Sequence, residues 1–172
     1  MAKSIVLYYS KSGQNLVNNS ITELKKGNVE IMAEFIQEAT GSDIFKVETK
    51  EEYPEEYYKL MEVTKQEAAS NARPEVKEYI PSLDEYDTIF LCYPLWWNTL
   101  PMVMFTFLTH YNLAGKKIVC FSSNEGGGVG YSVRELKDIC LGANVVKPGY
   151  GIVGSQTVAL KEQIQAWAKD NL

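Results

Sequence analysis

Ser4-Ile5-Val6-Leu7-Tyr8-Tyr9 is apolar at nearly every position and stops abruptly at Ser10-Lys11-Ser12-Gly13-Gln14-Asn15. A run with so little polar alternation needs cover on both faces, the environment of a strand inside a parallel sheet. The pattern recurs along the chain. Residues 43–48 alternate, with Phe45 and Val47 facing one way, and predict a second strand near a sheet edge. Residues 88–92 and 118–121 are two more buried runs. Val145-Val146 with residues 150–153 predict a fifth strand, interrupted by Pro148 and Gly149.

Helical spacing fills the intervals. Val29, Met32, Ala33 and Ile36 fall at i, i+3, i+4 and i+7, and Gly41 follows as a cap. Residues 51–72 are acidic and helix-prone, bracketed by Pro54 and Pro74, with Tyr57, Leu60, Met61, Thr64 and Ala68 on one face. A further helical turn is expected at 75–80. Pro101, placed at a first helical position, opens a helix to about Tyr111. Val133, Leu136 and Cys140 mark a fourth helix, and Leu160, Ile164, Trp167 and Ala168 a last one. Strands and helices therefore alternate, which predicts an α/β fold with a parallel sheet covered on both faces. No repeat or linker divides residues 1–172, so a single domain is expected.

Composition narrows the partners. With 45% hydrophobic and 23% charged residues the chain is globular, and its net charge of -5 argues against nucleic acid or an anionic membrane surface. Residues 88–109 carry no charge over a length that would span a bilayer, but Pro94, Asn98 and Pro101 break the run into strand, loop and helix. Cys92, Cys120 and Cys140 are widely spaced without a metal-ligand pattern, which suits a reducing compartment. The first apolar run is too short for a signal peptide and lacks a basic leader, so a cytoplasmic location is expected.

In an open parallel sheet, ligands bind beyond the carboxyl ends of the strands. Three loops leave such ends here. The first, residues 10–15, offers hydroxyl and amide donors with a glycine; it suits a phosphate held without added charge, or an ordinary polar turn. The second, Tyr93-Pro94-Leu95-Trp96-Trp97-Asn98-Thr99, places two tryptophans where core packing or the wall of a flat aromatic ligand would employ them. The third is Ser122-Ser123-Asn124-Glu125-Gly126-Gly127-Gly128.

Taken together, these loops resemble those of the flavodoxins, FMN-binding electron-transfer domains, and the likeness extends over essentially the whole chain. The first loop is similar to the family's Ser-x-Thr-Gly-Asn-Thr phosphate loop, with Ser12 in the Thr position. The chain departs by inserting residues 16–27, after which Gly27-Asn28-Val29-Glu30 echoes the family's Gly-Asn-Thr-Glu, as in a bacterial subgroup with an expanded phosphate loop. The resemblance implies a flavodoxin-like three-layer α/β/α sandwich with a five-stranded parallel sheet in the order 2-1-3-4-5. It assigns FMN binding to Ser10, Lys11, Ser12, Gln14, Asn15, Asn28 and the Val29 amide in the first loop, and to Pro94, Leu95, Trp96, Trp97 and Asn98 in the second. Ser123, Asn124, Glu125, Gly126 and Gly127 complete the set in the third. Trp96 would stack on the isoalloxazine while Trp97-Asn98 passes its N5 edge. There a peptide flip delivers a backbone carbonyl in flavodoxins, and Asn98 tolerates the positive φ required.

The implied function is one-electron transfer between redox partner proteins, a reductase or an acceptor enzyme. The alternative is an FMN-dependent NAD(P)H quinone or nitro-compound reductase, with the 51–72 helix as part of a substrate lid. A binding module that has lost FMN is a third reading, opposed by the intact loops. A receiver module needs an acidic cluster after the first strand and an aspartate after the third, where this chain has Tyr9-Ser10 and Tyr93-Pro94; a phosphatase of this topology needs a cysteine and an arginine in the first loop. His110 is expected to play a structural part at a helix end, and Glu51, Glu52, Glu55 and Glu56 to form a solvated face.

Overall fold

The computed structural model describes residues 2–126 and 128–172. Five strands form the interior and one side of its sheet: β1 (Ser4–Tyr8), β4 (Asp43–Lys46), β5 (Thr88–Pro94), β6 (Lys117–Asn124) and, at the far position, the short β7 (Asn144–Val145). The far position is shared with β8 (Tyr150–Val153), which pairs with the last residues of β6 as β7 pairs with the first. All these pairings are parallel and the order is β4-β1-β5-β6-β7/β8, the predicted one with its fifth strand in two pieces. Lys147-Pro148-Gly149 makes the break, since proline brings no ladder donor and a side chain at 149 would collide with Val133 and Val129.

Side chains on successive strand residues point to opposite faces, and each face has its own core. Val6, Phe90, Cys92, Val119 and Phe121 meet α1 (Asn28–Thr40) and α5 (Lys161–Asp170) through Val29, Met32, Ala33, Ile36, Ile164 and Ala168. Ile5, Leu7, Ile89, Leu91 and Cys120 meet α3 (Met102–Thr109) and α4 (Ser132–Ile139), with α2 (Tyr57–Ala69) packed at the margin through Ala68. All three cysteines are buried and unpaired; burial pushes the Cys120 thiol up to about 12 and that of Cys140 to about 11. Among the described residues no helix is long and apolar enough to cross a membrane.

Four local expectations are corrected. The 51–72 helix begins only at Tyr57, because Pro54 disfavours helix before it and the preceding segment pairs elsewhere. Its partner is the expected helical turn at 75–80, which is extended instead: Thr49 bridges Val76, and Lys50 N–H reaches the Glu75 carbonyl at 2.9 Å. Pro101 is the N-cap of α3 and not its first helical residue. The polar insertion is ordered as an antiparallel hairpin, β2 (Gly13–Val17) and β3 (Ser20–Leu24), turned by Asn18 and Asn19 at φ 50° and 61°. A two-residue turn with both φ values positive is type I′, whose twist matches that of paired strands.

Candidate functional site

The carboxyl ends of β1, β5 and β6 open into a cavity of about 330 Å³, within the size range of small-molecule sites. Its polar end is the junction of the first loop with α1. Ser10 Oγ accepts the Glu30 N–H at 3.2 Å, while the Asn28 and Val29 amides take no acceptor among the described residues. Those are first-turn donors that a helix cannot satisfy internally. Gly27 makes the junction possible, because a Cβ there would overlap Ser10 Oγ and the Lys11 backbone. Asn15 closes the loop on itself, its Nδ2 donating to the Lys11 carbonyl at 3.0 Å and the Gly13 carbonyl at 3.2 Å. Lys11 lines the cavity as well, its ammonium donating to the Ser12 carbonyl at 2.7 Å with Glu55 3.7 Å away. The polar end thus carries the Lys11 cation beside its hydroxyl and amide donors.

The opposite wall is aromatic. Trp96 meets Tyr9 edge-on, with centroids 5.4 Å apart, and Tyr53 likewise at 5.8 Å. Tyr53 in turn donates to Glu67 at 2.7 Å, and burial holds both the Tyr53 phenol and the Glu67 carboxyl above their ordinary values. Trp97 leans on α2, its indole N–H donating to Thr64 Oγ1 at 3.1 Å and its ring facing the Lys65 ammonium at 5.5 Å. Trp96 and Thr99 exchange backbone hydrogen bonds around a turn in which Trp97 has φ 56° and Asn98 φ 65°. Asn98 therefore has the expected positive φ, and Trp97 shares it. The Asn98 carbonyl is engaged by the Tyr131 N–H at 2.7 Å, while no donor reaches the Trp97 carbonyl among the described residues.

The third wall comes from the end of β6. Ser123 and Asn124, expected in a loop, are strand residues that pair with Ile152 and Val153, so the loop proper starts at Glu125. Glu125 Oε2 accepts the Asn18 N–H of the hairpin tip at 3.2 Å, and its Oε1 is buried without a partner among the described residues.

Of the residues singled out from sequence, Ser10, Lys11, Asn15, Asn28, Val29, Pro94, Leu95, Trp96, Trp97, Ser123, Asn124 and Glu125 line this cavity. Ser12, Gln14, Asn98 and Gly126 do not, and Gly127 lies outside the described residues. Gln14 turns away because its Oε1 accepts the first N–H of α2, from Tyr57, at 2.9 Å. Leu16, Tyr57, Met61 and Gly154 line the cavity without having been anticipated. Tyr57 and Met61 had been placed on the helix's apolar face; their i, i+4 spacing was the only available sign. His110 caps α3 and stacks on Tyr79 with centroids 4.1 Å apart; Glu51, Glu52 and Glu55 are exposed.

No curated protein matches the sequence. Solved structures do. A candidate flavoprotein from Bacteroides eggerthii superposes with a TM-score of 0.70 at 21% identity, over 99% of this chain and 98% of its own. A flavoprotein from Lactobacillus acidophilus, solved in complex with FMN, gives 0.64 at 22% identity over 85% of this chain and 91% of its own. Oxidised flavodoxin 2 from Bacillus cereus gives 0.56 at 18% identity over 99% and 100%. At these identities the likeness establishes the shared fold. The family model described as flavodoxin matches residues 3–171, and the chain accordingly belongs to the flavodoxin family.

Proposed function

We propose that the chain, acting as one unit, binds FMN in this cavity and passes electrons one at a time between partner proteins. The observation that carries the reading is a single cavity with unpaired helix N–H donors and a lysine at one end and tryptophans at the other. FMN is a phosphate joined to a flat ring system, and both ends find their complement. When bound it supplies the redox chemistry, and the protein governs position and electrostatics.

Ser10, Lys11, Asn15 and the Asn28 and Val29 amides hold the phosphate; Ser12 supports them by fixing the Lys11 ammonium. Val29 contributes through its backbone alone. Trp96, immobilised by Tyr9 and Tyr53, presents a wall to the ring, and Trp97 with Pro94 and Leu95 completes it. The Trp97 carbonyl, which no donor reaches among the described residues, would be free to accept from a proton on the ring edge. Its reorientation is opposed by the indole, since turning the central peptide of a type I′ turn gives type II′, which calls for glycine at the first central position.

Lys11→Met is expected to weaken FMN binding about tenfold and riboflavin binding little, a difference read by fluorescence quenching. Stepwise reduction of the FMN-loaded protein, followed by absorbance without oxygen, tests the carrier role. Two resolved one-electron steps support it. A single two-electron step with steady NAD(P)H oxidation in the presence of a quinone, and no partner reductase, would assign the protein to the reductases.

A further inference from the structure

A second cavity, of about 740 Å³, lies between the 49–54 segment, the C-terminal half of α2 and residues 72–75. That is again within the size range of small-molecule sites. It shares no lining residue with the first cavity, but Tyr53 connects the two: its ring meets Trp96 edge-on, and its hydroxyl donates to Glu67 in the second. The charges of the lining do not balance. Lys50 and Arg73 stand against Glu51, Glu52, Glu67 and Glu75. Both cations are already occupied. Lys50 Nζ lies 2.9 Å from Glu75, while Arg73 Nη1 donates to Asn71 Oδ1 at 2.9 Å and to the Ala72 carbonyl at 3.0 Å, with the guanidinium over the Phe105 ring. Glu51, Glu52 and Glu67 make no ion pair among the described residues. Glu67 is the most telling of them, because a half-buried carboxylate without a counter-ion is unfavourable.

The chemistry of the lining selects its ligand. An anion would meet three unpaired carboxylates. A metal ion needs several oxygens directed at one point, and no group of acidic, histidine or cysteine side chains among the described residues is placed to hold one. A quaternary ammonium calls for a cage of aromatic rings, and Tyr53 is the one ring in the lining. A protonated amine donates to separate carboxylates and lays its hydrocarbon part on Pro54, Val63 and Pro74. We infer that the second cavity is a binding site for a protonated aliphatic amine, its ammonium donating to Glu67 and drawn in by Glu51 and Glu52. The inference goes beyond the FMN reading and does not depend on it.

The test titrates n-butylamine into the full chain, with and without FMN, at about pH 8, where carboxylates are ionised and the amine is protonated. n-Butanol and butyrate serve as its neutral and anionic counterparts. A saturable shift of the Glu67 carboxyl NMR resonance is expected with the amine alone, whether or not FMN is present. By calorimetry, Glu67→Gln is expected to weaken amine binding about tenfold, and Glu51→Gln, at an exposed position, about threefold. Asp138→Asn, exposed on α4, should change it less than about twofold. An equal loss in Asp138→Asn would mean general attraction to an acidic chain and overturn the site. Tighter binding of butyrate would overturn it in favour of Arg73, and an unmoved Glu67 resonance would overturn it altogether. Circular dichroism establishes that each variant folds, and Glu51→Gln keeps the comparison should Glu67→Gln unfold. Failure of the chain to bind FMN would sink the functional proposal and leave this site standing.

Discussion

The central strands and the β2–β3 hairpin both border the cavity, yet they are held in place by opposite means. In β1 and in all of β5 but Pro94 every residue is buried, and each strand has a neighbour on both sides. In the hairpin no residue is buried, and its strands pair only with each other. A two-stranded ribbon is marginal by itself in water. This one is fastened at two points, Gln14 to the N-terminus of α2 and the Asn18 N–H to Glu125. Burial thus fixes where the cavity lies, while a few polar contacts fix what borders its polar end. The two regions should respond very differently to perturbation.

The largest effect belongs to the sheet. Phe90 is fully buried between α1 and the neighbouring strands, and Phe90→Ala is expected to cost about 3–5 kcal/mol in urea unfolding. A loss near that of a surface site would break the distinction. Tyr53→Phe probes the margin between the regions. It removes the only donor to the Glu67 carboxylate among the described residues, at an expected cost of about 1 kcal/mol in a half-exposed setting. The sign of the pH effect follows from Glu67's raised carboxyl. The fold favours its protonated form, so stability falls as pH rises from the ordinary glutamate value through the raised one and stays lower above it. Because the Tyr53 hydroxyl opposes that shift, Tyr53→Phe should move the window upward, as followed by carboxyl NMR. Asn19→Gly should have the smallest effect, since glycine takes the positive φ at that position more readily. Exchange of the hairpin amides is expected to slow by an amount equivalent to less than about 1 kcal/mol, with the global urea midpoint nearly unmoved. A midpoint that moves equally would make the hairpin part of the cooperative core.

The same contrast explains what could be read from the sequence. Unbroken apolar runs such as Ile5-Val6-Leu7 and Ile89-Phe90-Leu91 admit one environment, so the strands and their cover on both faces were legible, while their order followed from the resemblance of the loops. The hairpin was not. Its strands are half-exposed and polar, and Asn18-Asn19 lacks the glycine that makes such turns conspicuous. Ser123 and Asn124 looked like loop because serine and asparagine favour loops; their strand geometry comes from β8, remote in sequence. At the site, the three loop compositions pointed to the cavity, but Tyr57, Met61 and Gly154 reach it only through the packing of α2 and the end of β8. Residues 51–56 misled in the other direction, their acidic helix-prone composition being overridden by Pro54 and the pairing of Thr49 with Val76.

The divided far strand has a consequence for how copies of the protein treat one another. Sheet edges invite pairing between molecules when they are long and regular. Here one edge is β4, four residues long, and the other is β7 and β8, of two and four residues, kept apart by Pro148. The segments most prone to self-association, β1, β5 and β6, all lie inside. Aggregation should therefore follow the population of unfolded chains and be nearly insensitive to the concentration of folded ones.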